Sequence, residues 1–223
     1  MRKFLFIFAL IVTLGCCSNT PELETGEIKT LQLLKQTFEQ PNHSKIFIDA
    51  RDLLTREQID AYNIPVLFVE LASGQNGTLT LYPGQGVGQT WLGADGATIT
   101  LEHGIIKASR GMGDDIMGSS TFIPRWVKID DNASIYNRKV SYLSGNNKII
   151  ERSFECKTQK NNQKLVVEIW GIEFIVVKFE ETCFSDGFKI TNIYYVDDKD
   201  IVRKSFQYHS DTINFITIER LDR

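Results

Sequence analysis

Thr98-Ile99-Thr100-Leu101-Glu102 alternates polar and apolar positions with a period of two, as a strand with one buried face does. His103-Gly104 follows, two residues that tolerate positive φ, and a second strand pattern starts at Ile105. Residues 96–109 therefore read as a hairpin with a two-residue turn. In that register Leu101 faces Ile106, Ile99 faces Ala108 and Ala97 faces Arg110, so one apolar face ends in a guanidinium. A charge at the rim of a buried face needs partners. Asp114 and Asp115 lie just beyond Gly111-Met112-Gly113, where the chain can fold back, and Arg110 is expected to pair with one or both.

The same alternation recurs along the chain. Strand patterns fall at 66–69, 77–81, 133–143, 148–157, 164–170, 172–180, 188–196, 201–208 and 212–219. Turn residues separate them at 145–147, 161–162, 185–187, 197–200 and 210–211. Gly171 marks either a hairpin or a bend within one strand. Gly84, Gly86, Gly88, Gly93 and Gly96 fit no phosphate-loop spacing and read as turns in a curved sheet. Earlier in the chain the period changes. Ile28, Leu31, Leu34 and Phe38 recur at helical spacing after Thr25, a candidate cap, and Thr55-Arg56-Glu57-Gln58 resembles the start of a short second helix. The fold class is mainly β: a large antiparallel meander curled into a half-barrel or barrel, with one or two N-terminal helices packed on it.

The first residues belong to another category. Arg2 and Lys3 precede an apolar run at 4–14, too short to span a bilayer as a helix and suited to a signal peptide. Thr13-Leu14-Gly15-Cys16 resembles a lipobox, with a small residue directly before the cysteine. Cleavage there makes residues 1–15 the leader, Cys16 the lipidated residue, 16–25 a short tether and 26–223 a single periplasmic domain. Acyl chains on Cys16 would anchor it, each buried CH₂ contributing about 0.8 kcal/mol. The residue after Cys16 is Cys17, not Asp, so nothing signals retention in the inner membrane, and the expected location is the periplasmic face of the outer membrane.

Composition narrows the classes further. With 223 residues, 42% hydrophobic and 24% charged, the chain can bury a sizeable core. The formal charge of −3 becomes −5 once Arg2 and Lys3 leave with the leader, which provides no basic footprint for nucleic acid and no attraction to anionic lipid.

Chemical candidates are few. Cys156 and Cys183, on neighbouring expected strands of an exported chain, are expected to form a disulfide. Two free thiols are the rival, and zinc lacks both a nearby histidine and a C-x-x-C. His43, His103 and His209 fall in expected turns or loops without metal spacing, so no metal or other cofactor is expected. The one constellation resembling a site is the loop holding Arg110, Gly111, Gly113, Asp114 and Asp115, together with Trp91. A glycosidase pair would need two carboxyls flanking a bond, whereas adjacent acids point apart, so a structural ion pair closing the loop is preferred. Polar sugar recognition, with Trp91, Trp126 or Tyr136 as a stacking surface, is the third alternative.

Residues 91–101 (WLGADGATITL) and 110–117 (RGMGDDIM) resemble the YjbF/GfcB family of bacterial lipoproteins, linked to exopolysaccharide and group 4 capsule production. Cys156, Cys183 and the run at 188–197 (FKITNIYYVD) extend the resemblance. Tyr195 stands where the family carries Trp. Its S-R-Q-W stretch appears within Lys204-Ser205-Phe206-Gln207-Tyr208, with the Arg replaced and Tyr again in place of Trp, which weakens any idea that the indoles or that arginine do indispensable chemistry. The resemblance implies a non-enzymatic accessory role in making or exporting exopolysaccharide or capsule. Its partners would be other envelope proteins of the system, including an outer-membrane barrel, and the polysaccharide itself. The alternatives are a periplasmic carrier for a lipid or glycan, and a polysaccharide-modifying enzyme using Asp114 or Asp115.

Overall fold

The computed structural model describes residues 49–84, 88–121, 126, 134–143 and 148–223. The leader, Cys16, the tether, the amphipathic stretch at 27–40, His43 and Gly86 lie outside them. Two short helices open the described chain, α1 (Ala50–Leu53) and α2 (Arg56–Ala61). Each begins where a short polar side chain captures a backbone N–H the helix leaves free: Asp49 accepts from Arg51, and Thr55 accepts from Gln58. The Gln58 side chain accepts from the Thr55 N–H in return, completing a capping box.

Twelve strands follow: β1 (Val66–Leu71), β2 (Asn76–Tyr82), β3 (Gln89–Gly93), β4 (Thr98–Glu102), β5 (Ile105–Arg110), β6 (Ile116–Thr121), β7 (Ser134–Leu143), β8 (Ile149–Ile169), β9 (Ile172–Ser185), β10 (Phe188–Asp197), β11 (Val202–Ser210) and β12 (Asn214–Arg220). They form one antiparallel sheet in which sequence neighbours pair, and β1 also pairs with β12 along Leu67↔Arg220 to Leu71↔Ile216. The meander thus comes round on itself into a nearly closed barrel. Among the described residues the ladder is missing between β5 and β6, which are the two edges of the sheet.

Alternation along the strands fills the interior. Leu67 and Val69 of β1, Leu79 of β2, Trp91 of β3, Ile99 of β4, Phe154 of β8 and Ile216 and Ile218 of β12 share one buried cluster. Each such side chain contributes roughly 1.5–3 kcal/mol by leaving water. The opposite face of β1 is covered as well. Val66 and Phe68 pack with Ala50 and Ile59 of the helices and with Ile169 and Trp170 at the tip of the β8–β9 hairpin. Phe68 meets Trp170 edge-on, with centroids 5.8 Å apart, and the Arg51 guanidinium lies 3.9 Å from the Phe68 centroid.

Several strand expectations are corrected. The patterns at 148–157 and 164–170 are one continuous strand, β8. Asn161-Asn162 is no turn but part of an irregularity between Lys160 and Lys164 that shifts the pairing with β9. Gly171 is the hairpin turn, with Trp170 at φ 50° and Gly171 at φ 75°. Strands β3 and β6 lack a strong alternating signal and emerge only through pairing with β2, β4 and β7.

Cys156 and Cys183 lie directly opposite each other across β8 and β9 and are joined by a disulfide enclosing a sequence separation of 27. Closing a loop of that length restricts the unfolded chain. Replacing both cysteines by serine is expected to cost about 3 kcal/mol of stability, read from the urea midpoint under non-reducing conditions.

Candidate functional site

The loop at 111–115 joins β5 to β6, so the stretch with the most site-like residues lies at the one break in the ladder. A register shift between Thr100 and Leu101 in the β4–β5 pairing prepares it: Leu101 faces Ile106, but Thr100 faces Ala108 and Ile99 faces Ser109. Lys107 is the extra residue. One inserted residue moves everything after it to the other face. Ser109 therefore turns inward, to 1% exposure, and Arg110 turns outward.

That shift overturns the expected ion pair. Arg110 contacts neither Asp114 nor Asp115 within salt-bridge range among the described residues. Its Nη1 instead donates to the carbonyls of Ser109 and Ile116, bridging the two edges of the seam. Asp115, 8% exposed, turns its carboxylate back into its own loop and accepts from the N–H groups of Gly111 at 2.8 Å and Met112 at 3.0 Å. The loop can wrap a carboxylate this way because Gly111 and Gly113 hold φ of 78° and 117°. Asp114 accepts a hydrogen bond from the Thr212 hydroxyl, tying the loop to the β11–β12 turn. The Asp115 carbonyl accepts from the N–H of Leu143, continuing the β7 edge.

A histidine completes the seam, and the sequence pattern misplaces it. His209 was expected in a loop; it lies in β11 with 0% exposure, and its Nε2 is 2.9 Å from Ser109 Oγ. Ser109 Oγ also accepts the Ile116 N–H at 2.9 Å and lies 3.2 Å from Asp115 Oδ1. The tautomer that satisfies every partner carries its proton on Nε2. His209 then donates to Ser109, and Ser109 donates to Asp115. Burial lowers the His209 pKa to about 4, with the charges of Asp115 and Asp114 opposing the drop.

Serine, histidine and aspartate in contact invite comparison with a hydrolase triad, but the order is wrong. The carboxylate touches the serine rather than the imidazole, His209 Nδ1 has no partner, and all three groups are buried. Of the two adjacent acids, Asp115 is bound into the loop's own backbone while Asp114 reaches Thr212.

Gln207 of β11 seals the rest of the β5 edge. Its amide accepts from the Ile106 N–H at 3.0 Å and donates to the Gly104 carbonyl at 2.8 Å, as a neighbouring strand would. The indole of Trp126 donates to the His103 carbonyl at 3.1 Å. Two of the three candidate stacking rings are buried. Trp91 is 0% exposed within the core, and Trp126 packs against Phe179 and Tyr194. The Tyr136 hydroxyl donates to Glu181, a fully buried carboxylate that also receives Arg138, Asn192 and Tyr194. This second polar cluster left no sequence signal, because only the barrel brings β7, β9 and β10 together.

Residues 33–221 match the family described as group 4 capsule polysaccharide lipoprotein GfcB, YjbF. The chain belongs to the YjbF family. A solved structure described as the hypothetical lipoprotein YmcC from Escherichia coli (K12) superposes with a TM-score of 0.70 at 17% identity, covering 83% of this chain and 98% of that one. At that identity the likeness concerns the fold. No curated protein matches the chain. For this YjbF-family member, membership makes it a capsule- or exopolysaccharide-related lipoprotein, with the membrane-anchored envelope location that a lipoprotein family implies.

Two outcomes test the seam. Asp115→Ala leaves two loop N–H groups without acceptors and is expected to cost roughly 2–4 kcal/mol, against about 1 kcal/mol for the exposed Arg110→Ala, both read by urea unfolding. His209 remains neutral in the folded state down to about pH 4, whereas the unfolded chain protonates it near 6.5. The unfolded state binds more protons across that window, so stability falls as pH drops through it, by roughly 3 kcal/mol in full. His209→Gln, which still offers an N–H to Ser109, is expected to remove that component from the pH 4–7 stability profile.

Proposed function

We propose that this chain is a lipid-anchored accessory factor on the periplasmic face of the outer membrane that supports exopolysaccharide or capsule production without catalysing a reaction itself. Family membership supports the pathway. The observation supporting a non-catalytic role is the seam. Its acid, base and hydroxyl groups are consumed in hydrogen bonds that hold β5 to β6, and their buried positions leave no room for a substrate between them. Anchoring through Cys16 would hold the barrel near the membrane, where other envelope proteins of the system, including an outer-membrane barrel, are its natural partners.

Deleting the gene is expected to reduce surface polysaccharide, and a plasmid copy carrying Asp114→Asn is expected to restore it fully. Asp114 is the freer of the two acids, and asparagine can still accept from Thr212, so folding is preserved. Unchanged surface polysaccharide in the deletion strain would overturn the accessory role. Failure of a folded Asp114→Asn protein to complement would favour the enzyme alternative.

A further inference from the structure

Strand β7 covers only the first part of β8. Their ladder runs from Leu143↔Ile149 to Ser134↔Thr158, and beyond Thr158 no strand among the described residues pairs with that edge. On its other edge β8 continues along β9 as far as Ile169↔Ile172. Within the irregularity between Lys160 and Lys164 the Asn161 side chain accepts the Gln163 N–H at 2.9 Å, and regular pairing with β9 resumes at Lys164↔Val177. Residues 164–169 are therefore paired on one side only. Their other edge offers backbone donors and acceptors that a further strand can take.

The side chains along this edge are ill suited to being left in water. Val166 and Ile175 are direct cross-strand neighbours, 63% and 64% exposed. Glu168 and Glu173 are the next pair along the same face, both exposed, and like charges set directly opposite each other repel. Lys164 lies on that face too, two residues to the other side of Val166, and is also exposed. None of these three charges has an ion-pair partner among the described residues. On the reverse face Leu165, Val167 and Phe174 are half-buried.

This pattern is complementary to itself. Two copies of the edge set antiparallel about Val166 bring Val166 against its own counterpart, Leu165 against Val167, and Lys164 against Glu168, the last two contacts occurring twice by symmetry. Each Glu168 then has its own Glu173 on one side and a lysine of the second copy on the other, which offsets the repulsion within the hairpin. Val166 and Ile175 of both copies form one apolar row across four strands. Lysine on an edge strand ordinarily discourages pairing, but in this register each lysine meets a glutamate. Parallel, in-register pairing would instead set lysine against lysine and glutamate against glutamate. From the free edge and this charge complementarity, we propose that two copies of the chain associate through antiparallel pairing of residues 164–168. An interface built on one short strand per copy is small, and it suits chains anchored in one membrane, where confinement raises their effective concentration. The association is independent of the capsule role, since it depends on the β8 edge alone.

The test uses full-length lipidated protein carrying Cys17→Ser, reconstituted in phosphatidylethanolamine–phosphatidylglycerol vesicles, and this parent sets the background. Adding Val166→Cys places two thiols on the two-fold axis, with Cβ atoms about 4.5–5.5 Å apart and within reach of a disulfide. Mild oxidation is expected to convert most of that protein to covalent dimer. Ile175→Cys is as exposed, but lies three strand spacings from its counterpart, roughly 14 Å, and is expected to stay at background. Charge reversal provides an independent reading without cysteines. Lys164→Glu is expected to weaken association at least about tenfold in detergent micelles, measured by sedimentation, and Lys164→Glu/Glu168→Lys to recover most of it, with thermal stability unchanged in both. Equal cross-linking of the two cysteine variants, or a double charge reversal no better than the single one, would overturn the assignment. So would a Val166→Cys thiol that neither cross-links nor reacts with a small maleimide, because the chain's own residues would then cover the edge.

Discussion

A backbone N–H or C=O at the edge of a sheet must find a partner, and much of this structure follows from how that demand is met at one place. Eleven of the twelve junctions around the barrel are ordinary antiparallel ladders. The twelfth, between β5 and β6, is made by side chains: Ser109, Arg110 and Asp115 from the seam itself, and Gln207 and His209 reaching across from β11. A loop of only five residues joins these strands, so both edges are held close without a ladder between them. Buried carboxylate and hydroxyl then satisfy one another and the nearby backbone, the condition under which buried polar groups are tolerated, and the imidazole joins them through Nε2 alone.

This arrangement changes the meaning of the residues that resemble a functional site. An acidic pair beside glycines and an arginine suggests chemistry when read along the chain. In the barrel one acid anchors a loop, the other reaches a neighbouring turn, and the arginine braces two carbonyls. The cluster around Glu181 is similar. It lies beside the Cys156–Cys183 bridge and receives hydrogen bonds from two other strands, β7 and β10, and its ion pair with Arg138 is 3.1 Å long. Removing one member of such a cluster strands a charge in the interior.

How far residues could be read in advance depended on the range of the interaction. The His103-Gly104 turn was legible because positive φ is a local property, and the structure has φ of 51° and 81° there. The Thr55 capping box was legible for the same reason. The disulfide could be anticipated from export and strand adjacency together. The position of Arg110 could not, because a single bulge at Lys107 reverses inside and outside for all that follows, and no residue type announces a bulge. His209 was misplaced because the strand pattern ends at Tyr208 and Ser210-Asp211 reads as a turn, whereas the strand continues to Ser210 through a register shift of its own. Nor could the strand at Gln89–Gly93, rich in glycine neighbours, declare itself before β2 and β4 were seen on either side.

The amino-acid sequence by itself determined the alternation that makes strands, the residues that make turns, the cysteines available for a bridge and the lipoprotein-like start. These depend on the chemistry of a few adjacent residues. Tertiary structure alone decided which edges would meet, that the break would fall between β5 and β6, and that Ser109, Asp115, His209 and Gln207, separated by up to 100 residues, would close it. The physical reason is cumulative. Each strand's facing is set by the registers of the strands before it, so the partners of a buried polar group are known only after the whole sheet has curled back on its first strand.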